Sequence, residues 1–225
     1  MVKVISLGGS LIVPNEINYR YVNDFKKLIV RLSKKEKFVI VCGGGKTARI
    51  YINALRESGV GEEILSYIGI RITRLNAWFL INIFGKSTSE KLAKSLKEIK
   101  NLLRRNNIVI VGGLRYKPNN TSDGTTANIA SLLKCDFINV TNVKGLYDKD
   151  PKLKGAKFIS RINYKNFNKI VNKIRYKAGQ HFVLDQSAAK IIKKNNIKTY
   201  IVGNNLRNLE NLIKGKKFIG TTISK

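Results

Sequence analysis

The sequence predicts an α/β protein built on a largely parallel sheet. Short apolar, β-branched runs of strand character alternate along the chain with segments whose apolar residues recur near helical period. Several runs end directly in glycine turns, at Gly8, Gly43 and Gly112, and a fourth ends at Thr141. In a parallel sheet with helical crossovers, such turns open on one edge, outside the carboxyl ends of the strands.

Each element has its own reason. Residues 2–7 read as the first strand, and Gly8-Gly9-Ser10 as the turn that ends it. Residues 21–32 place Tyr21, Val22, Phe25, Leu28, Ile29 and Leu32 on one helical face. Residues 39–41 are a buried strand, and 46–58 a helix with Ala48, Ile50, Tyr51, Ala54 and Leu55 near helical period. Gly59-Val60-Gly61 breaks the chain before a helix over 62–84. That helix is apolar nearly all round, so it belongs in a core or a subunit interface, yet it carries Arg71, Arg74 and Asn76. A basic amphipathic helix is expected over 89–105, with a core face of Leu92, Leu96, Ile99 and Leu103. Residues 108–111 form a strand, followed by the polar loop 114–122 and a helix from about 123 to 134. A strand over 137–141 leads into a glycine-bearing stretch, 142–151. Residues 164–175 read as helical, and a loop over 177–185 introduces a helix over 186–195. The strand 200–202, the short helix 208–214 and the strand 219–223, which closes the sheet, complete the chain. No internal repeat or low-complexity linker interrupts this order.

Composition narrows the function. The chain has 225 residues, 43% of them hydrophobic, enough for one globular domain or two small lobes. Forty-three Lys and Arg against 14 Asp and Glu give a net charge of +29, which favours anionic partners and makes bound anions stabilising. Cys42 and Cys135 are isolated from each other and read as reduced thiols of a cytosolic protein. His181 is the only histidine, so a histidine metal cluster or a Ser-His-Asp triad has little to work with, and no metal-ligating set is expected. The N-terminus runs straight into a strand rather than a signal peptide, and no unbroken apolar run long enough for a membrane span is read.

The chemistry centres on residues 39–49, Val-Ile-Val-Cys-Gly-Gly-Gly-Lys-Thr-Ala-Arg. Glycine permits positive φ and close approach of a ligand. The following helix N-terminus offers unpaired N–H groups and a positive dipole end, which suit a phosphate. Lys46 and Arg49 add full charges. A plain strand-to-helix turn is the alternative reading. Gly45-Lys46-Thr47 is not the end of a Walker A motif, because Ile40 stands where that motif needs its first glycine. Several ligand-shaped turns on one rim favour a small phosphoryl-transfer enzyme.

The motifs in order are Gly8-Gly9-Ser10, residues 43–49, residues 70–77 (Ile-Arg-Ile-Thr-Arg-Leu-Asn-Ala), Gly112-Gly113, Thr121-Ser122-Asp123, Thr141-Asn142-Val143, Gly145-Leu146-Tyr147, Asp150-Pro151, Leu184-Asp185 and Gly220-Thr221-Thr222. In this order and over nearly the whole length, the chain resembles the amino acid kinase superfamily, most closely its archaeal-type uridylate (UMP) kinases. The resemblance implies a single domain over 1–225 with a three-layer α/β/α fold, its N-terminal part mainly for UMP and its C-terminal part mainly for ATP. It implies transfer of the ATP γ-phosphoryl to UMP with Mg²⁺ bound through the ATP phosphates, in a cytoplasmic homohexamer with no membrane or specific nucleic-acid partner. By resemblance Gly9, Ser10, Gly45 and Arg49 line the phosphate region. Gly44, Leu114, Arg115, Tyr116, Lys117, Pro118, Asn119, Asn120, Thr121 and Ser122 would hold UMP, and Thr141, Asn142, Tyr147 and Asp150 would hold ATP. Asp123 and Asp185 match aspartates important in relatives, and both also suit plain helix starts.

Departures from the pattern carry expectations of their own. Ser6 stands where many relatives have a first-strand lysine, so Lys46 is the candidate cation in its place. Lys144 replaces an acidic residue in the Gly-x-x-Tyr turn. Ser66 replaces the aspartate that holds the ribose, and the loop from Gly113 to Thr121 is about two residues longer than usual. Two other readings stay open: a same-fold kinase acting on a carboxylate, carbamate or isopentenyl phosphate, and a basic nucleic-acid-binding module. The polar loop speaks against an isoprenoid, and the scattered lysines with no nucleic-acid signature speak against the second.

Overall fold

The computed structural model describes residues 1–114, 121–172 and 184–225. The strands are β1 (Val2–Leu7), β2 (Lys37–Cys42), β3 (Ile108–Val111), β4 (Phe137–Val140), β5 (Leu146–Tyr147), β6 (Phe158–Ile159), β7 (Arg161–Asn163), β8 (Thr199–Val202) and β9 (Gly220–Ser224). The helices are α1 (Gly9–Ile12), α2 (Tyr19–Leu32), α3 (Gly45–Glu57), α4 (Glu62–Phe84), α5 (Leu96–Arg105), α6 (Ser122–Leu133), α7 (Tyr164–Asn172), α8 (Gln186–Asn195) and α9 (Leu206–Ile213). One seven-stranded sheet has the order β3-β2-β1-β4-β8-β9-β7. The five strands from β3 to β8 pair in parallel, β9 runs antiparallel to β8, and β7 is parallel to β9.

The strands are apolar on both faces, as a sheet covered on both sides requires. Val4, Val39, Val41, Val109, Val111 and Phe137 face a core completed by Ile99 of α5, Ala127 and Ala130 of α6, Phe167 of α7 and Ala189 of α8. Their neighbours Ile5, Leu7, Phe38, Ile40, Ile110 and Ile138 face the opposite core, with Ile12 of α1, Phe25 of α2, Leu80 of α4 and Leu209 of α9. The period of two along each strand therefore produces three layers, with α3 packed outside α4 through Ala48, Ile52 and Leu65.

Four expectations need correction. The helix expected from residue 89 begins only at Leu96, because Ser95 caps it. Ser95 accepts from the Glu98 amide at 3.2 Å, and the Glu98 carboxylate reaches back to the Lys94 amide at 3.0 Å. Leu92 consequently packs in the core opposite to that of Leu96, Ile99 and Leu103. The strand at the C-terminus does not close the sheet, since β7 takes the edge beyond it. The glycine-bearing stretch 142–151, expected without a strand, contributes β5 to the hairpin β5–β6, which forms because Thr221 receives the Leu146 amide at 2.8 Å and Gly145 lets the backbone pass against Thr221 and Phe158. Gly9-Ser10 opens a short helix rather than a plain turn.

Helix α4 matches its expected bounds but is not wholly buried. Ile64, Tyr67, Leu75 and Trp78 stand 41–59% exposed in one stripe, and Ile50 and Tyr51 of α3 are also exposed. By length and composition alone α4 could cross a bilayer. Its other face lies in the sheet core through Ala77, Leu80, Ile81 and Phe84, and its polar residues bond to loops at the strand ends.

Candidate active site

The turns predicted to converge do so. The parallel ladder continues past the strand ends: Gly8 donates to Val140 at 2.9 Å, Gly43 to Leu7 at 3.0 Å and Thr141 to Val202 at 2.9 Å. The segments after β1, β2 and β4 are therefore fixed side by side on one rim. Gly9 at the start of α1 lies against the Gly43–Gly45 backbone; a Cβ there would sit 2.0 Å from the Gly45 nitrogen. Gly45 itself has φ +67°, the left-handed region that glycine enters without strain, and it turns the chain into α3. The N-terminus of α3 therefore opens beside the glycine contact, with its Lys46 amide taken by Val13 O at 3.1 Å.

Two acids come to this rim from the other layer. Asp123 lies in the first turn of α6 and accepts from Ser6 Oγ of β1 at 2.9 Å. Asp185, only 5% exposed, caps α8 by accepting from the Ala188 amide at 2.9 Å. Its other oxygen accepts from Thr121 Oγ1, and that same Thr121 oxygen caps α6 by accepting from the Gly124 amide at 3.1 Å. Thr121 and Asp185 therefore stitch two helix N-termini together, which a cap alone does not require. Burial pushes Asp123 up to about 8, the Asp185 charge pushes the same way, and the Ser6 hydrogen bond opposes both. Burial likewise raises Asp185, against its hydrogen bonds from Thr121 and the α8 amides. Ionisation of Asp123 is thus opposed by burial and by the Asp185 charge, and a cation arriving at the rim would favour it.

The other predicted residues divide. Ser10 lies in α1, and Gly44 precedes α3. Lys46 Nζ donates to Asn15, beyond α1, at 2.8 Å. Arg49, half-buried on α3, makes no hydrogen bond or ion pair among the described residues. Leu114 is buried and Ser122 begins α6. Asn142 is exposed after Thr141. Tyr147 is stacked edge to face on Phe158 at 5.6 Å, and Asp150 accepts from the Lys152 amide at 2.9 Å in an exposed turn. Ser66 sits on α4 seven residues before Thr73, so about 10 Å beyond the rim along that helix. Arg115, Tyr116, Lys117, Pro118, Asn119, Asn120 and His181 fall outside the described residues.

Sequence reasoning noted the polar positions inside α4 without giving them a role. The structure has Thr73, Arg74 and Asn76 bonded to the backbone of two rim loops. The signal was present as polar residues clustered in an otherwise apolar helix.

Comparison with known proteins agrees with this architecture. The model of the amino acid kinase family matches residues 1–203. The uridylate kinase of Archaeoglobus fulgidus is 38% identical over 223 residues, covering 98% of this chain and 99% of that protein. The uridylate kinase of Thermococcus kodakarensis is 37% identical over 216 residues, covering 95% of each. The crystal structure of the Archaeoglobus enzyme superposes with a TM-score of 0.86 over 100% of both chains. The UMP kinase of Ureaplasma parvum, at 22% identity and a TM-score of 0.80 over 100% of this chain and 99% of that one, shares the fold. On the whole-length match in sequence and in fold, the chain belongs to the amino acid kinase family.

Proposed function

We propose that the chain is a uridylate kinase that moves the γ-phosphoryl of ATP to UMP, giving UDP and ADP, in pyrimidine nucleotide synthesis. The observation that carries the reading is the rim where Gly9 packs on Gly43–Gly45 beside Asp123 and Asp185. The acceptor is taken from the relatives, which are named for it at 38% and 37% identity.

Phosphoryl transfer needs placement and charge neutralisation more than covalent help. A UMP phosphate oxygen attacks the γ-phosphorus as the bond to the ADP oxygen breaks. The amides at Gly9, Ser10 and Gly45, with Lys46 and Arg49, take the charge on the transferred group. Gly44, Ser66, Leu114, Thr121 and Ser122, with residues 115–120, hold UMP in the N-terminal part of one domain. Thr141, Asn142, Tyr147 and Asp150 hold ATP in the C-terminal part. Asp123 and Asp185 orient the cations around the phosphates. Mg²⁺ comes with the ATP phosphates; carboxylate oxygens are the donors it prefers, and Asp123 and Asp185 are the residues that would face it. When bound it neutralises phosphate charge.

A coupled ADP-release assay across UMP, CMP, dUMP, AMP, carbamate and isopentenyl phosphate tests the acceptor. UMP is expected to give the highest kcat/KM by at least about tenfold, a modest pocket preference. Turnover of a non-nucleotide acceptor without UMP turnover would overturn the reading.

The same proposal includes a cytosolic homohexamer, supported by the apolar stripe of Ile64, Tyr67, Leu75 and Trp78 on α4. The purified chain is expected to scatter light as a six-chain assembly of 25.4 kDa protomers, and Trp78→Glu to lower the mass. A 25.4 kDa wild-type monomer at micromolar concentration would refute the assembly.

A further inference from the structure

Helix α4 meets the rim through one short stretch. Thr73 Oγ1 accepts from the Gly113 amide at 2.8 Å and donates to Ile70 O at 2.7 Å. Arg74 Nε donates to Gly113 O at 2.8 Å, and its Nη2 donates to Leu114 O. Asn76 Nδ2 donates to Gly43 O at 2.8 Å and reaches Gly44 O at 3.3 Å. Thr73 and Asn76 are 7% and 6% exposed, so their polar atoms need these partners.

Packing of α4 on the sheet does not itself call for polar side chains here. Ala77, Leu80, Ile81 and Phe84 perform it with apolar ones. The three polar residues instead bind main-chain atoms of two loops that leave different strands, β2 and β3. The helix backbone is also close: a Cβ on Gly112 would lie 2.6 Å from the Arg74 nitrogen. Neither loop can shift relative to the other without breaking bonds to the same helical turn.

We propose that Thr73, Arg74 and Asn76 are positioning residues for the acceptor nucleotide. They set the spacing between the loop at Gly43–Gly44, which faces the transferred phosphoryl, and the loop at Gly113–Leu114, which grips the acceptor. This rests on the assignment of those loops under the proposed function. Helix α4 packs chiefly on β2, β3, α1, α2 and α3, whereas the segment assigned to ATP follows β4. Damage to the clamp should therefore appear in the acceptor parameters and spare the donor KM.

Steady-state kinetics on the full chain, with UMP and ATP each varied, test this. Arg74→Met removes both loop hydrogen bonds while keeping a long apolar side chain. It is expected to raise the UMP KM at least about tenfold, the effect of losing one to two net hydrogen bonds, with the ATP KM within about twofold. Thr73→Ser keeps the hydroxyl and should keep the wild-type UMP KM, whereas Thr73→Val should lose it. An equal rise in both KM values, no change in either for Arg74→Met, or identical behaviour of the Ser and Val variants would overturn the proposal. Should Thr73→Val fail to fold, half-buried Arg74 carries the test through Arg74→Met. If the wild type phosphorylates another acceptor and not UMP, the acceptor assignment fails by itself. The same KM split, read with that acceptor, still decides the clamp.

Discussion

Replacing Gly9 by alanine is expected to lower kcat/KM on the order of 10²-fold and to destabilise the chain by about 1–3 kcal/mol. The added Cβ would stand 2.0 Å from the Gly45 nitrogen and 2.6 Å and 2.7 Å from the Gly43 and Gly44 carbonyl carbons. All three atoms are backbone, so no flexible side chain can move aside. Ordinary contact begins near 3.4 Å, so α1 and the Gly43–Gly45 loop must part by more than an ångström. That gap falls where the transferred phosphoryl is proposed to sit. Gly61→Ala is the control: Gly61 has φ −69° and open space at its Cβ position, so turnover should hold and stability should fall by no more than the small cost of alanine at the α4 N-cap. Activity assays and thermal melts on both variants check this. A Gly9→Ala protein with wild-type kcat/KM would show that the contact does not shape the site.

Asp123→Asn should lower kcat by about 10²–10³-fold, the range for removing one group that acts on charge in a transition state. The substitution keeps an oxygen to accept from Ser6 Oγ, so geometry changes little while the charge is lost. It also changes how stability depends on pH. An ordinary aspartate titrates near 3.9, and burial with the nearby Asp185 raises Asp123 to about 8. Between these values the folded chain holds a proton that the unfolded chain has released, so stability falls as pH rises through that window. Asparagine removes this loss. The melting temperature of Asp123→Asn relative to wild type should therefore climb from about pH 5 to about pH 8 in ligand-free protein. Parallel melting curves across that range would contradict the raised titration of Asp123.

The parts of the molecule legible in the sequence are those where local pattern and long-range packing agree. Apolar strands at 2–7, 39–41 and 108–111 are buried on both faces, and strand-end glycines mark the rim where they pair. The helices over 62–84 and 186–195 are bounded by their own caps and breakers, so their limits were readable. What escaped depends on contacts distant in sequence. The hairpin β5–β6 exists through Thr221, 75 residues from the Leu146 amide it accepts. Edge strand β7 has three residues, two of them exposed, and no apolar run to announce it. The late start of α5 was visible in Ser95-Leu-Lys-Glu98, but a continuous amphipathic period masked the capping box. In the site, Asp123 and Asp185 could each be read as a helix start, and each is one. Their meeting, and the Ser6 and Thr121 hydroxyls that hold them, belongs to tertiary structure. Lys46 was expected to stand in for a missing lysine, and its bond to Asn15 gives it a second partner that sequence could not foresee.

If one rim clasps two nucleotides, their phosphates meet between α3 and the Asp123–Asp185 pair. A crystal structure with UMP and a non-hydrolysable ATP analogue measures it directly. The UMP phosphate is expected over Gly44 and Gly45, the ATP base against the segment from Thr141 to Asp150, and the γ-phosphate between Gly9 and Asp123. Nucleotides bound on separate faces of the sheet, or phosphates that meet away from Gly9 and Asp123, would contradict it.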